Sequence, residues 1–183
     1  MPKRRVVRGC AFGCMGLFVL LLVAGAALMV WKPWAPEVVV SDPSASGTRV
    51  TENGLLGNYY PAAGGGKAAA VLVLGGSEGG LSAGADRTAK ALSGEGFSAM
   101  ALSYWGAPDQ NAHMENLPLE TFDTALAWLQ RQPGVDGNRL AVLGVSKGGE
   151  AAVLTGSRSP HVKATVGYVP SSVVWQGFSQ AAP

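Results

Sequence analysis

The chain has 183 residues, 48% of them apolar and only 14% charged. That length suits one domain with some chain to spare, and the composition excludes an intrinsically disordered protein. The net charge of +2 is a local effect: without Lys3, Arg4, Arg5, Arg8 and Lys32, nine basic residues face 12 acidic ones, so no nucleic-acid partner is expected.

Residues 1–8 form a basic tip, and 9–31 carry no charge at all. As a helix at ~1.5 Å per residue, 9–31 would span about 35 Å, enough for the ~30 Å hydrocarbon core. The positive residues before it favour a cytoplasmic N-terminus, and Trp31, Lys32 and Trp34 suit an interfacial belt. The expectation is one transmembrane helix, with the membrane as partner and the globular part extracytoplasmic. The rival is a cleaved signal, since Ala24-Gly25-Ala26 resembles a cleavage site, leaving a periplasmic or secreted domain. Cys10 and Cys14 are the only cysteines, so the globular part has no disulfide framework. Residues 32–53 read as a linker with Pro36 and Pro43, and 54–183 as a partial catalytic-type domain.

Within that domain the apolar period changes. The run 68–74 (AAAVLVL) is continuous and ends at glycine, as a strand buried on both faces would. A helix is predicted over 82–93, broken by Gly94 and Gly96, then a buried strand over 97–104. In 119–132, Leu119, Phe122, Leu126 and Leu129 share one stripe and Pro133-Gly134 ends the helix. A third buried strand follows over 139–144, a helix of small residues over 147–157, and a fourth strand over 162–169. A short pair at 49–52 and 56–60 adds an antiparallel edge. Strand and helix alternate, so the fold class is α/β: a mostly parallel sheet with helices on both faces, after the expected transmembrane helix.

Gly-x-Ser-x-Gly occurs three times, at 75–79, 80–84 and 144–148. In many hydrolases it is a strand-to-helix elbow that lifts a serine hydroxyl above the sheet. With 26 glycines in the chain, the pentapeptide alone decides little. Ser146 has a buried strand before it and a helix behind it. Gly144 and Gly148 leave room for the bend, and the Lys147 N–H stands where one oxyanion donor would be. Ser77 follows a strand too, but Gly79-Gly80 starts a helix poorly. Its glycine-rich loop suits the second oxyanion donor, from the N–H of Gly76 or Ser77, or else a structural turn. Ser82 has no strand directly before it. A Ser77 triad with Asp136 and His161 has the right chain order, yet Asp136 falls before a strand, at the wrong end of the sheet. Anion binding by the 75–80 loop is a further reading, without a nucleotide-binding fingerprint behind it.

The stretch 71–176 resembles the C-terminal domain of the acyl-CoA thioesterase and bile acid-CoA:amino acid N-acyltransferase family. The resemblance is carried by LVLGGSEGG, ALSYWG, LPLETFDTALAWLQRQPGV, GVSKGGE and VPSSVVWQG. It implies an α/β-hydrolase fold, acyl transfer from a thioester or ester, no cofactor or metal, and Ser146 as nucleophile. Acyltransferase members place cysteine there, so serine points to hydrolysis. The family's acid and histidine lie beyond where this chain stops, and its N-terminal β-sandwich is missing. The expectation is therefore a sheet incomplete at the C-terminus and a chain inactive by itself, with a non-catalytic membrane-anchored stub as the alternative. Glu150 reads as structural, and His161 and His113 as surface histidines. The Lys147 side chain reads as solvated, or as attracting an anionic substrate. Coenzyme A thioesters are cytoplasmic, which sits poorly with an extracytoplasmic domain.

Overall fold

The computed structural model describes residues 3–31, 37–175 and 177–179, with side chains from Met15 onward. The chain divides into two compact units, Met1–Glu37 and Val38–Pro183.

The first unit is helix α1 (Lys3–Trp31). Among the described residues no helix is long and apolar enough to cross a membrane. This corrects the transmembrane helix expected over 9–31. The membrane partner and the single-pass, extracytoplasmic placement fall with it. The side chains of the basic tip, Cys10 and Cys14 lie outside the described residues, as does the start of the linker at 32–36.

The second unit is built on a six-stranded mixed sheet of the hydrolase type. Strands β1 (Thr48–Val50), β2 (Leu56–Tyr60), β3 (Ala68–Leu74), β4 (Ser98–Ser103), β6 (Val135–Val145) and β7 (Val162–Tyr168) stand in the order β1-β2-β4-β3-β6-β7. β1 and β2 form an antiparallel edge, and β2 joins β4 antiparallel. The other four run parallel. Three helices, α2 (Ala83–Gly94), α3 (Glu120–Gln130) and α4 (Lys147–Arg158), connect them. A two-residue parallel pair, β5 (Leu117–Pro118) with β8 (Phe178–Ser179), lies apart from the sheet.

The apolar run of β3 has a direct cause. Ala70, Leu72 and Leu74 point into one cluster with Phe122, Leu126 and Leu129 of α3 and Ala151 and Ala152 of α4. Val71 and Val73 point the other way, to Ala85 and Ala89 of α2. A strand alternates its side chains, so helices on both faces demand apolar residues at every position. Each fully buried Leu or Val contributes about 1.5–3 kcal/mol relative to exposure.

Local sequence explains the helix starts. Ser82 is the N-cap of α2, its hydroxyl accepting from the Ala85 N–H at 3.2 Å. On the buried side of α2, Asp86 accepts from Asn58 Nδ2 at 2.6 Å and from the Tyr60 hydroxyl at 2.8 Å, which ties the helix to β2. Strand β6 begins four residues before the predicted 139. Val135 pairs with Ala68 and Leu140 with Ala70, so the intervening residues bulge out of register. Asp136-Gly137-Asn138 reads as a turn from its residue types, and Asp136 Oδ1 accepts from the Asn138 N–H at 3.1 Å, but the three residues belong to strand β6.

The register sets up the site. Leu74, the last residue of β3, pairs with Gly144 of β6, and Val145 pairs with Tyr168 of β7. The segments leaving the carboxyl ends of β3 and β6 are therefore neighbours.

Candidate active site

Ser146 stands at the turn between β6 and α4 with φ 53° and ψ −118°. A positive φ is strained for any residue with a Cβ, at a cost of about 1–3 kcal/mol. The surroundings hold it there. The Ser146 N–H donates to Tyr168 O at 2.9 Å, and Ser146 O accepts from the N–H groups of Gly149 at 2.9 Å and Glu150 at 3.2 Å. A Cβ on Gly144 would collide with Gly148 O, and one on Gly148 with the carbonyls of Leu74 and Gly75. The two glycines of the pentapeptide thus let α4 start directly against the end of β3. Ser146 is exposed, and the first backbone amides of α4, beginning with Lys147, lie immediately behind it.

The loop after β3 meets this turn. A Cβ placed on Gly76 would lie 3.3 Å from Ser146 Cβ, so Gly76 borders the serine. The Tyr104 hydroxyl, at the end of β4, donates to Gly75 O at 2.8 Å and more weakly to Gly76 O at 3.4 Å. Burial raises the Tyr104 phenol far above its ordinary value, helped by the charges of Glu78 and Glu150. It stays protonated and remains a donor to the loop. On the loop's far side the Gly80 N–H donates to Trp105 O at 2.7 Å.

The Lys147 side chain corrects the reading of a solvated or substrate-attracting lysine. It is buried, with Nζ 2.7 Å from Glu150 Oε2. It also donates to Trp175 O at 3.1 Å and lies 4.7 Å from the centre of the Phe178 ring. Glu150 Oε2 accepts from the Trp175 N–H at 3.1 Å as well. The pair therefore fastens the segment after β7 onto α4, and the Leu117 and Leu119 N–H groups donate to Gly177 O and Ser179 O. Burying this much charge requires that complete set of partners. One turn of helix between Lys147 and Glu150 makes the pair legible in hindsight. Tyr104 carried no local signal, because only the register of β4 beside β3 puts its hydroxyl under the loop.

The other sequence candidates are not brought together. Ser82 caps α2. His161 lies in the turn just before β7, whose far end, Tyr168, pairs with Val145, so some 20 Å of strand at ~3.3 Å per residue separates it from Ser146. There it lines a cavity with Asp123 and Arg158. Asp136 sits in the bulge at the start of β6. His113 lies in the loop after β4, exposed. Among the described residues, no histidine hydrogen-bonds Ser146.

A mixed sheet with a parallel centre flanked by helices, with a strained serine at a strand-to-helix bend, defines the α/β-hydrolase class of fold. Solved structures agree. The α/β hydrolase GrgF from Penicillium sp. sh18 superposes with a TM-score of 0.58 at 19% identity, over 68% of this chain and 45% of that one; at this identity the likeness shows the fold alone. Residues 117–181 match the family model described as "BAAT / Acyl-CoA thioester hydrolase C terminal". Human acyl-coenzyme A thioesterase 2, mitochondrial, is 40% identical over 78 residues, 43% of this chain and 16% of that protein. Mouse acyl-coenzyme A thioesterase 6 is 32% identical over 108 residues, 59% of this chain and 25% of that protein. The chain is thus a relative of the acyl-CoA thioesterase and BAAT type of α/β-hydrolase. Its matches span between a sixth and a quarter of those two proteins' length.

Proposed function

We propose that the chain is a serine hydrolase that cleaves a thioester or ester through an acyl-serine intermediate. Ser146 is the nucleophile, and its strained, exposed position at the elbow is the observation that carries the reading. An unfavourable backbone conformation persists only where the surroundings enforce it, and here they lift one hydroxyl into the open. Its Oγ attacks the acyl carbon. The N–H of Lys147, with that of Gly76 or Ser77, stabilises the oxyanion, each such donor typically contributing ~2.7–4 kcal/mol to the transition state. The leaving thiol or alcohol departs, and water then releases the acyl group from Ser146 Oγ.

The substrate class rests on kinship. The matched relatives are acyl-coenzyme A thioesterases by name, and serine at the nucleophile position favours water over an amine as the final acceptor. The test is thiol release from a panel of acyl thioesters by the purified chain. Where the sequence alone led to the expectation of a chain inactive by itself, this reading expects release that Ser146→Ala abolishes and that Ser82→Ala leaves in place. Release that survives Ser146→Ala counts against it.

A further inference from the structure

Val169, the residue after β7, has φ 46°, in the left-handed region that a β-branched side chain rarely enters. It also precedes Pro170, and a proline pushes the residue before it toward extended backbone. Local preference therefore opposes this conformation twice, and the fold enforces it. On one side, Tyr168 is held in β7 by its pairing with Val145. On the other, the segment beyond Val169 is fastened to α4. There Lys147 Nζ donates to Trp175 O at 3.1 Å, and the Trp175 N–H donates to Glu150 Oε2 at 3.1 Å. The peptide group that joins Tyr168 to Val169 accepts the Ser146 N–H at 2.9 Å, so Val169 is joined to the serine's own backbone partner. The core makes little use of its side chain. Val169 is 67% exposed, beside Tyr168 at 66% and Val145 at 39%. Glycine or asparagine would take this backbone more readily, so neither propensity nor packing accounts for a valine here.

We propose that Val169 is a specificity-determining residue, whose isopropyl group, fixed beside Ser146, receives the first carbons of an apolar acyl chain. This rests on the reading of Ser146 as nucleophile and adds an acyl class to it: a hydrocarbon chain of several carbons, in preference to acetyl. Ser146 and Val169 leave the sheet at the same end, on neighbouring strands about 4.8 Å apart. An acyl group bonded to Ser146 Oγ lies against the apolar surface of Val169, Tyr168 and Val145. Each carbon that covers this surface leaves water, and so does the surface beneath it, so a longer chain binds the site better than a shorter one. Strain held in place by the surroundings is a mark of a preorganised site, and here it keeps the valine in position before substrate arrives.

The experiment is covalent labelling of the full chain by two fluorophosphonates that differ only in the alkyl group on phosphorus, methyl or hexyl, followed by intact mass and peptide mapping. In that reaction Ser146 Oγ bonds to phosphorus, fluoride leaves, and the serine proton passes to solvent. The alkyl group stands in for the acyl chain, and the quantity read is the ratio of the hexyl rate to the methyl rate. Wild type is expected to favour hexyl. Val169→Ala keeps a Cβ and the strain but removes two methyl groups, and Val169→Asn suits the backbone but replaces the apolar surface. In both, the ratio should fall about ten-fold or more, the scale on which an apolar pocket distinguishes chain lengths. Val169→Asn should also melt above wild type, which separates lost selectivity from lost folding. An unchanged ratio in either variant, with the adduct on Ser146, overturns this inference and leaves the nucleophile standing. A wild-type chain that labels no faster with hexyl than with methyl does the same. Absence of any adduct on the wild-type chain overturns both.

Discussion

Replacing Ser146 by glycine and, separately, by alanine separates the strain of the backbone from the chemistry of the hydroxyl. The residue sits at φ 53°, ψ −118°, which costs a residue with a Cβ about 1–3 kcal/mol. Alanine keeps the Cβ and the strain. Glycine takes the conformation freely, but its looser unfolded chain returns roughly 0.4–1 kcal/mol. The difference leaves Ser146→Gly more stable than Ser146→Ala by about 1 kcal/mol. For a unit the size of residues 38–183, that is a rise in melting temperature of ~2–4 °C. Thermal and urea unfolding read the two variants side by side, and thiol release is measured on both. A glycine variant no more stable than the alanine one refutes the claim that the elbow stores strain.

Other expectations follow from the same contacts. Lys147→Met leaves Glu150 buried without its cation and should cost about 3–5 kcal/mol in urea unfolding, most of it recovered when Glu150→Leu is added. Tyr104→Phe removes the hydroxyl that holds Gly75 O and should cost about 1 kcal/mol, while slowing labelling of Ser146 through a loosened loop. The raised phenol of Tyr104 also sets a sign. Its stabilising effect is complete below its ordinary pKa of 10.0 and is lost as pH rises through the higher folded value. Tyr104→Phe should therefore lose less stability than wild type between neutral and strongly alkaline pH, read by urea midpoints. Gly148→Ala drives a methyl into the carbonyls of Leu74 and Gly75 and should lower the unfolding free energy by about 1–3 kcal/mol or more, or prevent folding, read by urea unfolding.

The sheet was legible wherever burial left a periodic mark. The runs around Leu72, Met100 and Val142 are apolar because helices cover both faces, and that pattern survives in one dimension. The strand before Ser146 and the helix after it were legible too, because both are local facts. Ser82, which lacked the strand, caps a helix instead.

What was not legible depended on pairing across the sheet. The start of β6 was missed because Asp136-Gly137-Asn138 has the residue types of a turn and is drawn into the strand by Val135 pairing with Ala68. The burial of Lys147 needed Trp175 and Phe178, which lie beyond the next strand. Tyr104 reaches the loop through the register of β4 beside β3, which spacing does not encode. The uncharged run at 9–31 misled in a different way. It was expected to span a bilayer, and among the described residues no helix is long and apolar enough to do so.

The most direct measurement is peptide mapping, by mass spectrometry, of the wild-type chain after reaction with a fluorophosphonate. The account expects a single phosphonyl adduct, on the peptide that holds Ser146, and none on Ser77 or Ser82. A chain that takes no adduct, or takes it on either of those two serines, contradicts it.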